Sequence, residues 1–249
     1  IGFKVLANAS GVHTNWIPMK NYKHNLLLMA QAINKDTKII YLANPDNPTG
    51  TYFTINEFDE FMKKVPERVL VILDEAYFEY ASGIKDFPDS MYYRYDNVIT
   101  LRTFSKVYGL AGLRVGYGFG HEILIGNMLK VKLPFEPSIP AQAAAVIALD
   151  DHQYLDESLS INDLGMSKLI SILNSYNFHY IPSVTNFVTV IFKEIQEAKE
   201  FTQKMLENGV ILRHLIAFGL PECVRITVGT DYENKIFIQK LNLIMKETK

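Results

Sequence analysis

This chain of 249 residues has one cysteine, little net charge and no long apolar run, and each lack removes a class of protein. Cys223 alone cannot form an internal disulfide, so a reducing compartment is expected, the cytoplasm by default. The net charge is -2 and no cluster of Lys and Arg stands against that average, which argues against a nucleic-acid partner. Apolar stretches fall well short of the roughly 18 residues a membrane-spanning helix needs, and no signal-peptide pattern is visible, so no membrane partner is expected. The six histidines show no paired spacing of the metal-ligand kind, which sets a metal site aside. Internal repeats and low-complexity segments are missing as well.

What is present is a globular composition, 48% hydrophobic and 21% charged, long enough for one large domain or two smaller ones. The chain opens in mid-pattern at Ile1-Gly-Phe-Lys-Val-Leu, so an upstream segment is expected to be missing. Phe3 to Ala7 reads as a short strand, and the spacing of Leu26, Leu27, Ala30 and Ile33 predicts a helix over about 24–34. Lys38 to Ala43 is an apolar strand ending in Asn44-Pro-Asp-Asn-Pro-Thr-Gly50, whose prolines and glycine force a turn. Thr54 and Glu57 have the spacing of a capping box, opening a helix to about Val65. Val69 to Leu73 predicts a strand covered on both faces, ended by Asp74-Glu-Ala-Tyr77. A short helix near 89–95, a strand over 98–102, another from Val115 to Phe119 and a helix from Ile123 to Val131 follow.

Beyond the proline-rich connection Leu133 to Pro140, helices are predicted from Ala141 to about Leu149 and from Tyr154 to Ser175. Then strands are expected at 178–181, 187–192, 210–213 and 223–228, with helices at 195–207 and 232–247. The front half alternates strand and helix, the pattern of a three-layer α/β/α domain with a mostly parallel sheet; the back half reads as a smaller α+β unit. The expected domains are 1–150 and 151–249.

Three front-half strands end in polar groups of different kinds: Asn47, Asp74 and Lys106. Ligands of open α/β sheets bind beyond the carboxyl ends of the strands, so these positions point into one crevice. A carboxylate directly after five apolar residues is costly to bury alone and calls for a cationic partner. Lys106 follows the hydroxyl of Ser105 and precedes the guanidinium of Arg114. That grouping suits a cofactor carrying a carbonyl and a phosphate: the amine forms an imine, and hydroxyl and guanidinium hold the anion.

These motifs resemble the pyridoxal-phosphate site of fold-type-I aminotransferases of the class-II type. The stretches Leu73-Asp-Glu-Ala-Tyr-Phe-Glu-Tyr80, Phe104-Ser-Lys-Val-Tyr-Gly-Leu-Ala-Gly-Leu-Arg-Val-Gly-Tyr117 and Phe218-Gly-Leu-Pro with Val224-Arg-Ile-Thr-Val-Gly-Thr230 are similar to the histidinol-phosphate aminotransferase family. The resemblance implies pyridoxal 5'-phosphate as cofactor and transamination of histidinol phosphate with 2-oxoglutarate, in histidine biosynthesis. By the same resemblance, Lys106 holds the cofactor and shuttles the proton, Asp74 pairs with its ring nitrogen, and Asn47 and Tyr77 hydrogen-bond the ring oxygen. Ser105 and Arg114 hold its phosphate, Arg225 binds the carboxylate of glutamate, and Arg213 is the candidate for the substrate's phosphate. The partners so implied are a small amino donor, a 2-oxo acid and a second copy of the chain. Asp46 departs from the family's more usual asparagine, and the family's upstream phosphate loop, stacking aromatic and intersubunit tyrosine are not in this sequence.

Rival readings are an aromatic amino-acid aminotransferase, a threonine-phosphate decarboxylase, and, from another class, a cofactor-binding effector domain of a transcription regulator. Gly116-Tyr-Gly-Phe-Gly120 is not a dinucleotide fingerprint, because His121 stands where the last glycine belongs. Cys223 reads as a small buried strand residue.

Overall fold

The structure, a computed structural model, describes residues 2–92 and 95–247. In chain order the elements are α1 (Gly2–Ala9), α2 (Leu26–Gln31), β1 (Ile39–Ala43), α3 (Ile55–Met62), β2 (Leu70–Asp74), α4 (Phe78–Ala81), β3 (Val98–Thr103) and β4 (Gly116–Gly120). Then come α5 (Glu122–Val131), α6 (Ile139–Asp150), α7 (His152–Ser175), β5 (His179–Ile181), β6 (Phe187–Ile191), α8 (Ile195–Glu207), β7 (Arg213–His214), β8 (Cys223–Thr227) and α9 (Asp231–Glu247). The chain divides into two compact units. One comprises Lys23–Asn47 and Thr51–Ile161; the other comprises Ile1–Tyr22, Pro48–Gly50 and Asn162–Lys249. Among the described residues no helix is long and apolar enough to cross a membrane.

The front unit holds a sheet of order β1-β2-β3-β4, in which β1, β2 and β3 run parallel and β4 returns antiparallel. Ile40, Leu42, Val71, Leu73 and Val98 share one core with Phe53, Phe58 and Phe61 from α3 and its approach. Phe53 and Phe58 stack at 5.4 Å between centroids. Thr54 accepts from the Glu57 N–H, and the Glu57 carboxylate accepts from the Thr54 N–H at 2.7 Å; this completes the expected capping box. The strand expected to be covered on both faces is closed on one only. Val71 and Leu73 are buried, while Leu70, Ile72 and Asp74 alternate with them and stay half-buried. In β4 the same period of two puts Tyr117 and Phe119 on one face and glycines on the other. A Cβ at Gly116 would stand 2.7 Å from the Arg102 carbonyl, so the glycine run serves strand packing.

The back unit holds an antiparallel sheet of order β5-β6-β8-β7. Leu169 and Leu173 of α7, Val188 and Val190 of β6, Met205 of α8, Ile226 of β8 and Leu241 of α9 form its core. Three expectations need correction. Phe3 to Ala7 is helical: four apolar residues broken once by Lys4 carry no period-2 signal, and α1 buries none of them. The strand expected over 210–213 shrinks to Arg213–His214. Gly209 takes φ +82° and the Val210 N–H closes onto the Met205 carbonyl at 2.8 Å, so Val210 caps α8 instead of pairing. Of the helix expected near 89–95, residues 93 and 94 lie outside the described residues, and 90–92 form a turn.

Candidate active site

The parallel register aligns Ala43 with Asp74 and Asp74 with Leu101, so the ends of β1, β2 and β3 lie side by side. The Glu75 N–H continues the ladder to the Leu101 carbonyl at 2.8 Å. Asp74 is held at both oxygens. The Tyr41 hydroxyl donates to Oδ2, and the Ala76 N–H donates to Oδ1 at 3.1 Å. Burial, and next the charge of Asp74, push the Tyr41 phenol well above its ordinary pKa. Tyr41 therefore stays a proton donor at any working pH.

Lys106 opens the turn after β3, where the Gly109 N–H closes onto the Lys106 carbonyl at 3.0 Å. Gly109 has φ +69°, and a Cβ there would stand 2.6 Å from the hydroxyl of Tyr154, so only glycine suits the turn. The Lys106 Nζ lies 5.2 Å from the centroid of the Tyr77 ring. Tyr77 is 5% exposed and follows Asp74 by three residues. One aromatic ring thus links the lysine turn to the strand end that carries the carboxylate. Ser105 is half-buried beside Lys106, and its N–H donates to Thr103 Oγ1 at 3.1 Å. Arg114 is exposed, in the left-handed region at φ +54°, and its guanidinium donates to the Ala111 carbonyl at 2.9 Å. Asn47 is half-buried in the turn after β1.

That turn is fixed by Asn44, which is fully buried. Its Oδ1 accepts from the Phe53 N–H at 2.8 Å, and its Nδ2 donates to the Phe53 carbonyl at 3.3 Å. Asp46 N–H reaches the Thr51 carbonyl at 2.8 Å, and Asp46 Oδ1 lies 3.4 Å from His24 Nε2.

Behind the strand ends sits a buried ion cluster that sequence reasoning missed. Arg102 donates to Glu75 at 2.8 Å and to Asp89 at 2.9 Å, with Phe78 only 3.4 Å from its guanidinium carbon. Burial pushes Glu75 up, against the pull of Arg102. Burial likewise pushes Glu79 up to about 7, with Arg102 opposing and Glu75 adding to the rise.

In the back unit, Arg225 of β8 pairs directly with Arg213 of β7 and, on its other side, with Thr189 of β6. Directly paired antiparallel residues share a face, so two guanidinium-bearing side chains stand on neighbouring strands of one face, a like-charge pairing that an anion would relieve. The Arg225 guanidinium lies 4.8 Å from the Phe187 ring and Arg213 lies 5.9 Å from Phe218. On the same row Thr189 is buried and donates to the Pro48 carbonyl at 2.5 Å.

A carboxylate at one strand end, an amine beyond the next and a buried tyrosine ring facing that amine make a donor set suited to a flat heterocycle with a basic nitrogen and a carbonyl. The chain belongs to the aminotransferase class I and II family, whose model matches residues 2–241. Within it, the chain is 42% identical over 247 residues to histidinol-phosphate aminotransferase 1 of Nitrosococcus oceani, covering 98% of this chain and 66% of that protein. It is 44% identical over 232 residues to histidinol-phosphate aminotransferase 2 of Carboxydothermus hydrogenoformans, covering 92% of this chain and 64% of that one. The chain therefore spans a little under two thirds of these relatives. Its fold is similar to the crystal structure of histidinol-phosphate aminotransferase from Sinorhizobium meliloti in complex with pyridoxal-5'-phosphate. That likeness has a TM-score of 0.92 at 28% identity, over 99% of this chain and 68% of the other.

Proposed function

We propose that the protein is a pyridoxal-phosphate-dependent transaminase that moves the amino group of histidinol phosphate to 2-oxoglutarate. The reading is carried by one observation: the Lys106 amine, in the turn after β3, faces the ring of Tyr77, which follows Asp74 at the end of the adjacent parallel strand β2. When bound, the cofactor supplies a carbonyl carbon that condenses with amines and a ring that accepts electrons from the substrate. Lys106 supplies the amine that holds it and then, once displaced, moves the proton at the substrate Cα. Asp74 holds a protonated ring nitrogen by charge, while Tyr77 and Asn47 donate to the ring oxygen. Ser105 and Arg114 take the phosphate. Arg225 grips the carboxylate of glutamate or 2-oxoglutarate through paired donors, and Arg213, its cross-strand neighbour, takes the phosphate of histidinol phosphate. The relatives' names support the choice of substrate, and two arginines on one sheet face support a site that meets a phosphate on one substrate and a carboxylate on the other. The reading includes a homodimer in the cytoplasm.

The test is a half-reaction. Histidinol phosphate, and separately phenylalanine, is added to the cofactor-loaded full-length protein, and conversion of the cofactor to its amine form is followed by absorbance. Conversion by histidinol phosphate at much lower concentration than by phenylalanine is expected. The reverse preference overturns the substrate assignment.

A further inference from the structure

We infer that Tyr41 is a positioning residue for Asp74, fixing the plane of the carboxylate that is to meet the cofactor's ring nitrogen; this rests on the function proposed above. The parallel register pairs Tyr41 with Ile72 and Ala43 with Asp74. Side chains two apart along a strand share a face, so Tyr41, Ala43, Ile72 and Asp74 stand together on the half-buried side of the sheet. Tyr41 lies two residues before the last residue of β1, Ala43, whose side chain is a bare methyl, and its phenol reaches the Asp74 carboxylate on the neighbouring strand.

The Tyr41 hydroxyl donates to the single carboxylate that ends β2. The carboxylate would otherwise turn about its terminal bond, because the Ala76 N–H at 3.1 Å fixes only Oδ1. With Oδ2 anchored as well, the plane of the group is set from two sides and its remaining lone pairs point in fixed directions. The hydroxyl keeps its proton for two reasons, burial and the facing charges of Asp74 and Asp46. His24, whose Nε2 lies 3.4 Å from Asp46, is the other titratable group near this face. An ionised acceptor makes this the stronger kind of hydrogen bond.

Tyr41→Phe keeps the ring and removes only the donor. In the full-length protein loaded with pyridoxal phosphate, three readouts are taken against the wild type: the cofactor dissociation constant, the pH midpoint of the bound cofactor's visible band, and kcat with KM. The dissociation constant is expected to rise about tenfold and kcat to fall about tenfold, as for loss of one hydrogen bond to a charged group, while KM stays near the wild-type value. The midpoint is expected to move by roughly half a pH unit or more. A structural tyrosine would leave that midpoint in place. A variant with the wild-type midpoint and cofactor affinity overturns the inference alone. A wild type that gives no visible band with pyridoxal phosphate overturns the proposed function and the inference with it.

Discussion

The two sheets carry their polar groups in different places. In the front sheet, Asp74 ends β2 and Lys106 follows β3, both beyond the apolar part of the strand. In the back sheet, Arg225 sits in the middle of β8, with Val224 buried on one side of it and Ile226 on the other. The cause lies in strand direction. Parallel strands bring all their carboxyl ends to one edge, so chemistry collects there with no side chain leaving the core. An antiparallel sheet has no such edge, and a charged group must use the open face, at a position fixed by cross-strand register. The front arrangement suits covalent chemistry on a held group; the back arrangement suits gripping anions.

Substitutions can break this contrast or sharpen it. The largest effect is expected from Lys106→Ala: turnover falls by about 10³-fold, and the visible band of the lysine-held cofactor disappears. A variant that keeps the band would remove Lys106 from the chemistry and leave the front sheet without its defining group. Arg225→Ala is expected to raise the KM for glutamate, measured in the reverse direction, by roughly 10- to 100-fold with the cofactor spectrum unchanged, the result for a lost bidentate pair. A changed spectrum would show that the back sheet also acts on the cofactor.

Glu79→Gln tests the ion cluster behind the strand ends. In the folded protein Glu79 titrates at about 7, against an ordinary value of 4.5, with burial as the main cause. Between those values the native state binds more protons than the unfolded one, so stability falls as pH rises through the window. The variant should flatten that fall, by on the order of 2 kcal/mol between pH 4.5 and 7.5 in urea unfolding. An unchanged slope would show that Arg102 already compensates Glu79. Smallest is Thr54→Ala, expected to cost about 1 kcal/mol in the same measurement by removing one half of the capping box, without touching either sheet's function.

The sequence made the front strand ends legible because an apolar run that stops at a single polar residue marks them. Asp74 needed no more than that, Lys106 needed Ser105 and Arg114 beside it and the family resemblance, and Thr54 with Glu57 carried its own signature. Tyr41 was hidden because its contact depends on which residue of β1 lies beside which residue of β2, and one strand alone does not say. The opposition of Arg213 and Arg225 was hidden for the same reason. The 210–213 segment misled because its apolar residues serve the helix cap at Gly209 as readily as a strand. Phe3 to Ala7 misled because four apolar residues and one lysine are too short a stretch to show a period.

Asn44 shows how one side chain can stand in for a length of backbone. Its amide offers a donor and an acceptor in the geometry of a peptide group, and Phe53 answers both, so the loop from 44 to 53 is cinched into a ring by what amounts to a single rung of sheet. Aspartate lacks the donor and serine the planar fork, so neither could cinch it. Asp46 and Asn47 sit within that ring, and α3 begins at Ile55, just beyond its closure at Phe53.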